Sequence, residues 1–339
     1  MGLHAAHELV LAVLRGRIPL RARRGVQRND IDVNLGAQLL MQLAAQHIGA
    51  EILVILIANQ SILNGHAASR LIRVITRSIE HLIDAHTHLA SCGARTKDDV
   101  DAFVARALDA GVERICTVGD GLEEAELALQ AAHFNERVFA ACAIHPTRAH
   151  ELDDDARARL TEMAADERCV AVGETGIDTY WLKHDPEGTA PLEVQEEAFR
   201  FHIDLAVQSG KALMIHNREG DADMLRILDD APRPEHVILH CFSSPLGVAR
   251  EAIERGYVLS FAGNVTFKRN EELRQAAALA PAGQLLVETD APYMTPEPFR
   301  GAKNEPSLIG HTAKVLADAR GMEVADVARE ISETFARVY

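Results

Sequence analysis

Two histidines separated by one residue end a short apolar run in the segment IDAHTHL. Because alternate residues of a strand point to the same side, the imidazoles of His86 and His88 are predicted to face one direction. Four further apolar runs also end in a His, Glu or Asp residue: Glu174, His216, His240 and Asp290. Neutral imidazole and carboxylate together suit Zn, Mn, Co, Ni or Fe, whereas carboxylate and water alone suit Mg. These residue types predict a metal site, provided that the fold brings them together.

The elements that must position these residues recur regularly from residue 82 onward. Eight short apolar runs are predicted as strands: Leu82–Leu89, Arg114–Val118, Val138–Ile144, Cys169–Glu174, Ala212–His216, His236–Cys241, Tyr257–Phe261 and Leu285–Glu288. An amphipathic helical pattern follows each strand, and one more helix is predicted after the eighth unit, at Val324–Arg337. Near-continuous apolar strands that alternate with helices are typical of a parallel sheet buried on both faces.

Eight such units in about 255 residues match a (β/α)8 TIM barrel in count and length. A doubly wound open sheet is the alternative, but it usually carries a glycine-rich phosphate loop after an early strand. Neither GxGxxG nor GxxxxGK[ST] occurs in this chain. The predicted fold is therefore α/β, a TIM barrel over residues 81–339 with an additional N-terminal extension over residues 1–80.

A barrel makes a specific demand on the six candidate residues, because the active groups of this fold lie at the carboxyl ends of the strands. A single histidine at a strand end is more often structural, so the prediction depends on six metal-competent groups converging at one rim. Six side chains exceed the needs of one tetrahedral ion, and with a bridging carboxylate they suffice for two ions roughly 3.5–4 Å apart. Without a cation, such a buried cluster would carry a large desolvation cost. Two divalent ions are predicted, with Mg, Mn and Zn as candidates.

Composition and charge limit the partners of the protein. The formal net charge of −15 disfavours a broad basic surface for nucleic acid, but not a narrow phosphate site built from bound cations. Five scattered cysteines without a CxxC pair indicate a reduced, cytoplasmic protein with buried thiols. The start of the chain lacks the order of a signal peptide, and the run Ile48–Ala58 is too short to span a bilayer. No membrane association is predicted.

The extension over residues 1–80 differs from the rest of the chain in charge. It holds nine arginines, five acidic residues and no lysine. A transit peptide is one explanation, and a start assigned too far upstream is the favoured alternative. Weakly packed helices are predicted for Ala37–Gln46 and Ile48–Ile57.

Five segments, in this order and spacing, carry a resemblance to a known family: IDAHTHL, VGETGID, MIHNRE, ILHCFS and VETDAPYMTPEPFRGAKNEP. From Leu82 to its end the chain resembles the TatD-type metal-dependent deoxyribonucleases of the amidohydrolase superfamily. The resemblance implies a metal-dependent phosphodiesterase on a TIM barrel, often a 3′-to-5′ exonuclease acting on DNA. Related barrels often place a carbamylated lysine in strand four, where this chain has Glu174, and that favours the TatD-like branch over the phosphotriesterase and cyclic-amide branches.

The resemblance also implies roles for the site residues. His86, His88, Glu174 and Asp290 would hold one ion, and Glu174 would bridge to a second that His216 and His240 complete. The catalytic residues would be Glu174, as the bridge, and Asp290, as the candidate general base for the attacking water. Predicted substrate contacts are Arg218, Arg300 and His145, whereas Trp181 and His202 are assigned to packing and Cys241 to the strand face opposite His240.

The predicted substrate is DNA, through a single strand or a 3′ end, or another small phosphodiester. Two alternatives remain open at this point. One is hydrolysis of a small ester, lactone or amide on the same scaffold, and the other is a non-catalytic binding protein that has kept the barrel.

Overall fold

Eight parallel strands pair in chain order and form a nearly closed barrel. In this computed structural model, residues 81–339 are described, and the helices predicted for the extension lie outside that part of the chain. The strands are β1 (Leu82–Thr87), β2 (Val112–Val118), β3 (Val138–Ala141), β4 (Cys169–Asp178), β5 (Ala212–Arg218), β6 (Val237–Leu239), β7 (Val258–Phe261) and β8 (Leu285–Val287). The predicted TIM barrel is confirmed.

Helices connect the strands and cover the outside of the barrel. They are α1 (Lys97–Asp109), α2 (Leu122–Phe134), α3 (Asp154–Ala164), α4 (Thr179–His184), α5 (Leu192–Ser209), α6 (Asp221–Asp230), α7 (Leu246–Glu254), α8 (Glu271–Leu279), α9 (Ile309–Arg320) and α10 (Val324–Val338). Within residues 81–339, three short 3₁₀ helices occupy Pro146–Glu151, Gly263–Thr266 and Pro306–Leu308. The short helix α4 was not predicted, and β4 extends four residues beyond its predicted end at Glu174.

Burial explains why the apolar runs became strands. All residues of β1, β4, β7 and β8 are buried, as expected for strands that have the barrel interior on one face and helices on the other. The last helix shows how the outer layer is held. In α10, the buried side chains of Val327, Ile331, Phe335 and Val338 recur at helical spacing, and the helix packs against β1 and β8. Each such side chain contributes roughly 1.5–3 kcal/mol through burial.

The seam between β8 and β1 places two candidate ligand segments side by side. Beyond the strand ends, the backbone N–H of Asp290 donates to His86 O at 2.9 Å, and that of His88 donates to Ala291 O at 2.7 Å. Beneath them, buried Asp84 accepts hydrogen bonds from the backbone N–H and hydroxyl of Thr289, at 2.8 and 2.5 Å. Closure of the barrel therefore fixes Asp290 next to His86 and His88. Across residues 81–339, no helix has both the length and the apolar character needed to cross a bilayer.

Candidate metal centre

The six predicted ligand residues lie together at the carboxyl end of the barrel. They come from β1, β4 and β5 and from the residues that follow β1, β6 and β8: His86, His88, Glu174, His216, His240 and Asp290. All but His216 are more than nine-tenths buried. Two groups among the six, His86–His88–Asp290 and His86–Glu174–His240, each offer three ligand atoms within 4.8 Å of one another, a spacing that fits a divalent metal. His216 forms such a group with His145 and Asp178.

Glu174 occupies the middle of the cluster and faces a different pair of imidazoles with each carboxylate oxygen. Its Oε1 lies 3.8 Å from His86 Nε2 and 3.5 Å from His88 Nε2. Its Oε2 lies 2.7 Å from His240 Nε2 and 3.4 Å from His216 Nδ1. Each oxygen of the Glu174 carboxylate is therefore shared between two imidazoles, one pair on either side.

On the first side of Glu174, three ligand candidates converge. Asp290 Oδ1 lies 3.7 Å from His86 Nε2 and 3.5 Å from His88 Nε2, and the two Nε2 atoms are 3.1 Å apart. Asp290 adopts a left-handed backbone conformation with φ of 51°, which costs a non-glycine residue roughly 1–3 kcal/mol. Backbone hydrogen bonds to His86 and from Tyr293 hold it there. Strain of this kind, maintained by its surroundings, is typical of a functional site.

On the second side, each imidazole has a carboxylate behind it. His216 Nε2 lies 2.9 Å from Asp178 Oδ2, and His240 Nδ1 lies 3.2 Å from Glu288 Oε1. Glu288 is itself held by hydrogen bonds from Ser260 Oγ at 2.5 Å and from the backbone N–H of Cys241 at 2.7 Å. A carboxylate on the far nitrogen fixes the tautomer and orientation of a metal-binding histidine.

The backbone of β4 also constrains this side. Gly176 has φ of 143°, and a Cβ at that position would lie 2.1 Å from His216 O. Only glycine allows β4 to approach β5 this closely, so Gly176 sets the distance between Glu174 and His216.

The charges of the cluster depend on one another. Burial alone would raise the pKa of Glu174, but the neighbouring His240 holds it well below its ordinary value, so the carboxylate is ionised. Burial and the neighbouring His240 lower the pKa of His86 well below its ordinary value, which keeps it in the neutral, ligating form. Burial opposes protonation of His240, yet Glu174 and Glu288 raise its pKa well above the usual range. A bound cation would take the place of this proton.

A cavity of about 530 Å³ opens above the cluster, within the range of small-ligand sites. The predicted substrate residues differ in their relation to it. Arg218 and His145 line the cavity, whereas Arg300 is not among its lining residues and lies with Cζ 4.3 Å from the Phe267 ring centroid. A substrate contact by Arg300 stays a prediction.

His145 is held in place at the cavity wall. Its Nδ1 lies 2.7 Å from Thr147 Oγ1 and accepts the backbone N–H of Thr147 at 3.2 Å, which caps the 3₁₀ helix that follows β3. Burial, together with the charge of His216, lowers the pKa of His145 to about 3, so the ring is neutral. His145 therefore has a structural role besides any contact with substrate.

Three acidic residues of the site were not identified from the sequence. Asp178 and Glu288 stand behind His216 and His240, and Asp120, after β2, has Oδ1 3.3 Å from His88 Nδ1. Burial raises the pKa of Asp120 to about 6, although His88 opposes the shift. The signal that could have found all three is the one that found Glu174, an acidic residue at the carboxyl end of a barrel strand.

Two packing assignments require correction. Trp181 is 41% exposed and lines the cavity, because it belongs to the unpredicted helix α4. Cys241 also lines the cavity, because the chain has left β6 at Leu239 and takes a φ of 42° at Cys241, so strand alternation no longer applies. His202 is fully buried, with Nδ1 2.9 Å from Thr175 Oγ1, as the packing assignment predicted.

Comparison with known proteins agrees with the fold. The family model of TatD-related DNases matches residues 83–339. The "Uncharacterized metal-dependent hydrolase TatD" of Mycobacterium tuberculosis is 49% identical over 258 residues, which cover 76% of this chain and 97% of the relative. The "3′-5′ ssDNA/RNA exonuclease TatD" of Cronobacter sakazakii is 33% identical over 247 residues, 71% of this chain and 92% of the relative. The structure of the Escherichia coli TatD homolog YjjV superposes with a TM-score of 0.69 at 26% identity, covering 77% of this chain and 98% of YjjV. The chain belongs to the TatD-related DNase family and is a metal-dependent hydrolase.

Proposed function

We propose that this hydrolase cleaves phosphodiester bonds and removes nucleotides from the 3′ end of single-stranded DNA. The observation that carries the proposal is the position of Glu174, whose two oxygens face two separate pairs of imidazoles. A pair of bridged ions is the arrangement used for in-line displacement at phosphorus. The printed name of the Cronobacter sakazakii relative, a 3′-5′ exonuclease for single-stranded DNA and RNA, supports the choice of substrate.

The residues divide into two ligand sets. His86, His88, Glu174 and Asp290 would hold one ion, and Glu174, His216 and His240 would hold the other. Mg, Mn and Zn remain the candidates, and in such a pair they act as Lewis acids that lower the pKa of water and stabilise charge on phosphoryl oxygens.

The protein's own side chains perform the remaining steps. Asp290 lines the cavity beside Glu174 and would accept the proton of the attacking water. Asp178 and Glu288 keep His216 and His240 in their orientation throughout the reaction. Arg218, on the cavity wall, would bind a phosphate of the strand, for which a planar guanidinium is well suited.

The shape and charge of the cavity favour a strand end over a duplex. A cavity of about 530 Å³ admits a small ligand or a chain terminus. With a net charge of −15, the protein would attract nucleic acid at this cavity through bound cations rather than along its whole surface.

The experiment uses protein that is stripped of metal by chelation and reloaded separately with Mg, Mn or Zn. A 5′-labelled single-stranded oligonucleotide should shorten stepwise from its 3′ end with at least one of these metals, and Glu174→Gln should abolish the reaction. Loss of activity in that variant would show that the cleavage does not come from a contaminating nuclease. Intact DNA with every metal, alongside a digested control, removes the proposal, and hydrolysis of a lactone, ester or cyclic amide instead would establish the alternative chemistry.

We also propose that the protein works in a reducing compartment, the cytoplasm. All five cysteines are free, and Cys116, Cys142 and Cys169 are buried as thiols. Fractionation of the source cells that finds the protein outside the cytoplasm would contradict this.

A further inference from the structure

The chain has one tryptophan, and it is exposed on the wall of the cavity. Trp181 is 41% exposed, although a ring of this size is normally among the most buried side chains of a domain. An exposed aromatic ring in a cavity next to a polar cluster is typical of a ligand-binding surface.

The helix that carries Trp181 lies outside the hydrophobic core. None of the six residues of α4 is buried, so the helix adds nothing to the core. Asp178 is the N-cap of the helix, and its Oδ1 accepts the backbone N–H of Trp181 at 2.7 Å. The other oxygen of the same carboxylate lies 2.9 Å from His216 Nε2. Asp178 thus fixes Trp181 relative to the candidate metal centre.

A cation lies beside the ring. The Cζ atom of Arg218 is 3.8 Å from the ring centroid of Tyr180 and 5.5 Å from that of Trp181, which are cation–π distances. The two acids nearest in sequence are engaged elsewhere, since Glu219 pairs with Lys183 at 3.1 Å and Asp221 accepts from Asn217 at 2.6 Å. The aromatic rings, rather than a salt bridge to these acids, therefore orient the guanidinium.

We infer that Trp181 stacks on a nucleobase of the substrate and that Arg218 binds the phosphate attached to that nucleotide. An aromatic plane and a guanidinium, side by side, match the two chemically distinct parts of a nucleotide. Stacking of this kind tolerates any base, because every base has a π-face. The inference rests on the proposed nuclease function and adds to it a nucleoside subsite on the β4 side of the cavity.

The first experiment reads binding without turnover. Because Trp181 is the only tryptophan, fluorescence excited selectively at tryptophan, away from the tyrosine absorption band, reports on this side chain alone. A phosphorothioate oligothymidylate, which resists cleavage, should quench this fluorescence, whereas the same phosphorothioate strand with abasic sugars should not. Equal quenching by both strands, or quenching by neither, overturns the inference.

The second experiment reads catalysis with matched variants. Trp181→Ala should raise the KM for oligothymidylate about tenfold, in line with the loss of one stacked base, and leave the KM for a strand with abasic terminal residues unchanged. Trp181→Phe should restore most of the affinity. The control is Phe299→Ala, because Phe299 is 42% exposed but packs against His311 and is not among the cavity-lining residues.

The outcomes separate this inference from the proposed function. Wild-type protein that quenches with oligothymidylate but cleaves no DNA would overturn the nuclease proposal and keep the nucleoside subsite. An active wild type with Trp181→Ala unchanged on both strands would do the reverse. Equal losses on base-bearing and abasic strands would assign Trp181 to support of the metal centre through Asp178, which also overturns the inference.

Discussion

The floor and the rim of the cavity differ in how deeply their side chains are buried and in which kinetic constant they should affect. The cavity floor is the cluster of six candidate metal ligands, of which five line the cavity and His86 is fully buried beside them: His86, His88, Glu174, His216, His240 and Asp290. The cavity rim consists of Trp181, Arg218 and Tyr293. Five of the six floor residues are more than nine-tenths buried and the His216 side chain is 16% exposed, whereas Trp181 and Tyr293 are 41% and 52% exposed. A buried charged side chain is stable only when its partners are all in place, whereas an exposed side chain contributes mainly to the binding of a ligand. Substitutions in the floor should therefore change metal content and kcat, and substitutions in the rim should change KM.

The largest effect is expected from Glu174→Gln in the floor. The amide cannot bridge two cations, so kcat should fall by more than about 100-fold. A loss of about 100-fold is the upper end for substituting a residue that only orients a metal ligand. The matched control is Glu235→Gln, because the Glu235 side chain is 81% exposed. If Glu174→Gln retained turnover, the reaction would take place outside the floor, and the proposed difference between floor and rim would be wrong.

The next effect comes from the acids behind the second side of the floor. Asp178→Asn should lower affinity for one of the two metals by about 10–100-fold, because His216 loses its charged partner. Asparagine still caps a helix, so α4 should keep its place. Asp153→Asn, at the cap of α3, provides the control. Calorimetric metal titration measures the effect, and unchanged affinity would mean that Asp178 serves only α4.

The backbone of the floor provides a test of stability. Gly176→Ala should lower the free energy of unfolding by roughly 1–3 kcal/mol, since alanine is strained at φ of 143° and its Cβ would clash with His216 O. Gly247→Ala in α7 should be neutral or stabilising, because its Cβ would meet no atom within 4 Å. Thermal unfolding of the two variants compares them directly. A Gly176→Ala protein as stable as the wild type would show that β4 and β5 separate easily.

A smaller effect concerns His202, which supports the floor through Thr175. Burial lowers the pKa of His202 to about 3, below the ordinary value of 6.5, so the neutral ring stabilises the fold above pH 6.5. As the pH falls from about 6.5 toward 3, unfolding takes up a proton and this stability is lost. Relative to His202→Gln, the wild type should lose up to about 1.4 kcal/mol of unfolding free energy per pH unit in that range. Urea unfolding of both metal-free proteins measures it, and a constant difference with pH would contradict the assignment.

The smallest effect belongs to the rim. Arg218→Ala should raise KM about fivefold with kcat unchanged, as expected for one solvent-accessible ion pair. Arg300→Ala is the comparison, since Arg300 packs over Phe267 and is not among the cavity-lining residues. Steady-state kinetics on one oligonucleotide decides between them. A larger increase in KM for Arg300→Ala than for Arg218→Ala would identify Arg300 as the main phosphate contact. A fall in kcat for Arg218→Ala would contradict the assignment of Arg218 to substrate binding alone.

The floor was predictable because two rules act together. Apolar strands that alternate with helices gave the barrel, and the barrel brings the ends of distant strands to one place. For His86, Glu174 and Asp290, residue type and position at a strand end were enough to predict that they lie together as candidate metal ligands. The central position of Glu174 in the cluster follows from where its strand lies, between those of the other ligand candidates.

The roles of the other site residues could not be read from the sequence, because these roles depend on side-chain direction rather than on position along a strand. Asp178 and Glu288 stand at strand ends, as Glu174 does. Only the structure shows that each of them faces the second ring nitrogen of a histidine, His216 or His240. Helix α4 is only six residues long, too short for a periodic pattern, so the exposure of Trp181 was missed. For Arg300, the loop after β8 indicated proximity to the site, but the guanidinium turns onto Phe267.

The central claim is that Glu174 joins two metal ions, and metal analysis tests it most directly. Protein stripped with a chelator, reloaded with Mn and desalted should retain two equivalents per chain, and Glu174→Gln should retain fewer, as expected when a shared ligand is lost. A wild type that binds one equivalent or none, or a Glu174→Gln protein that keeps both, would contradict the account.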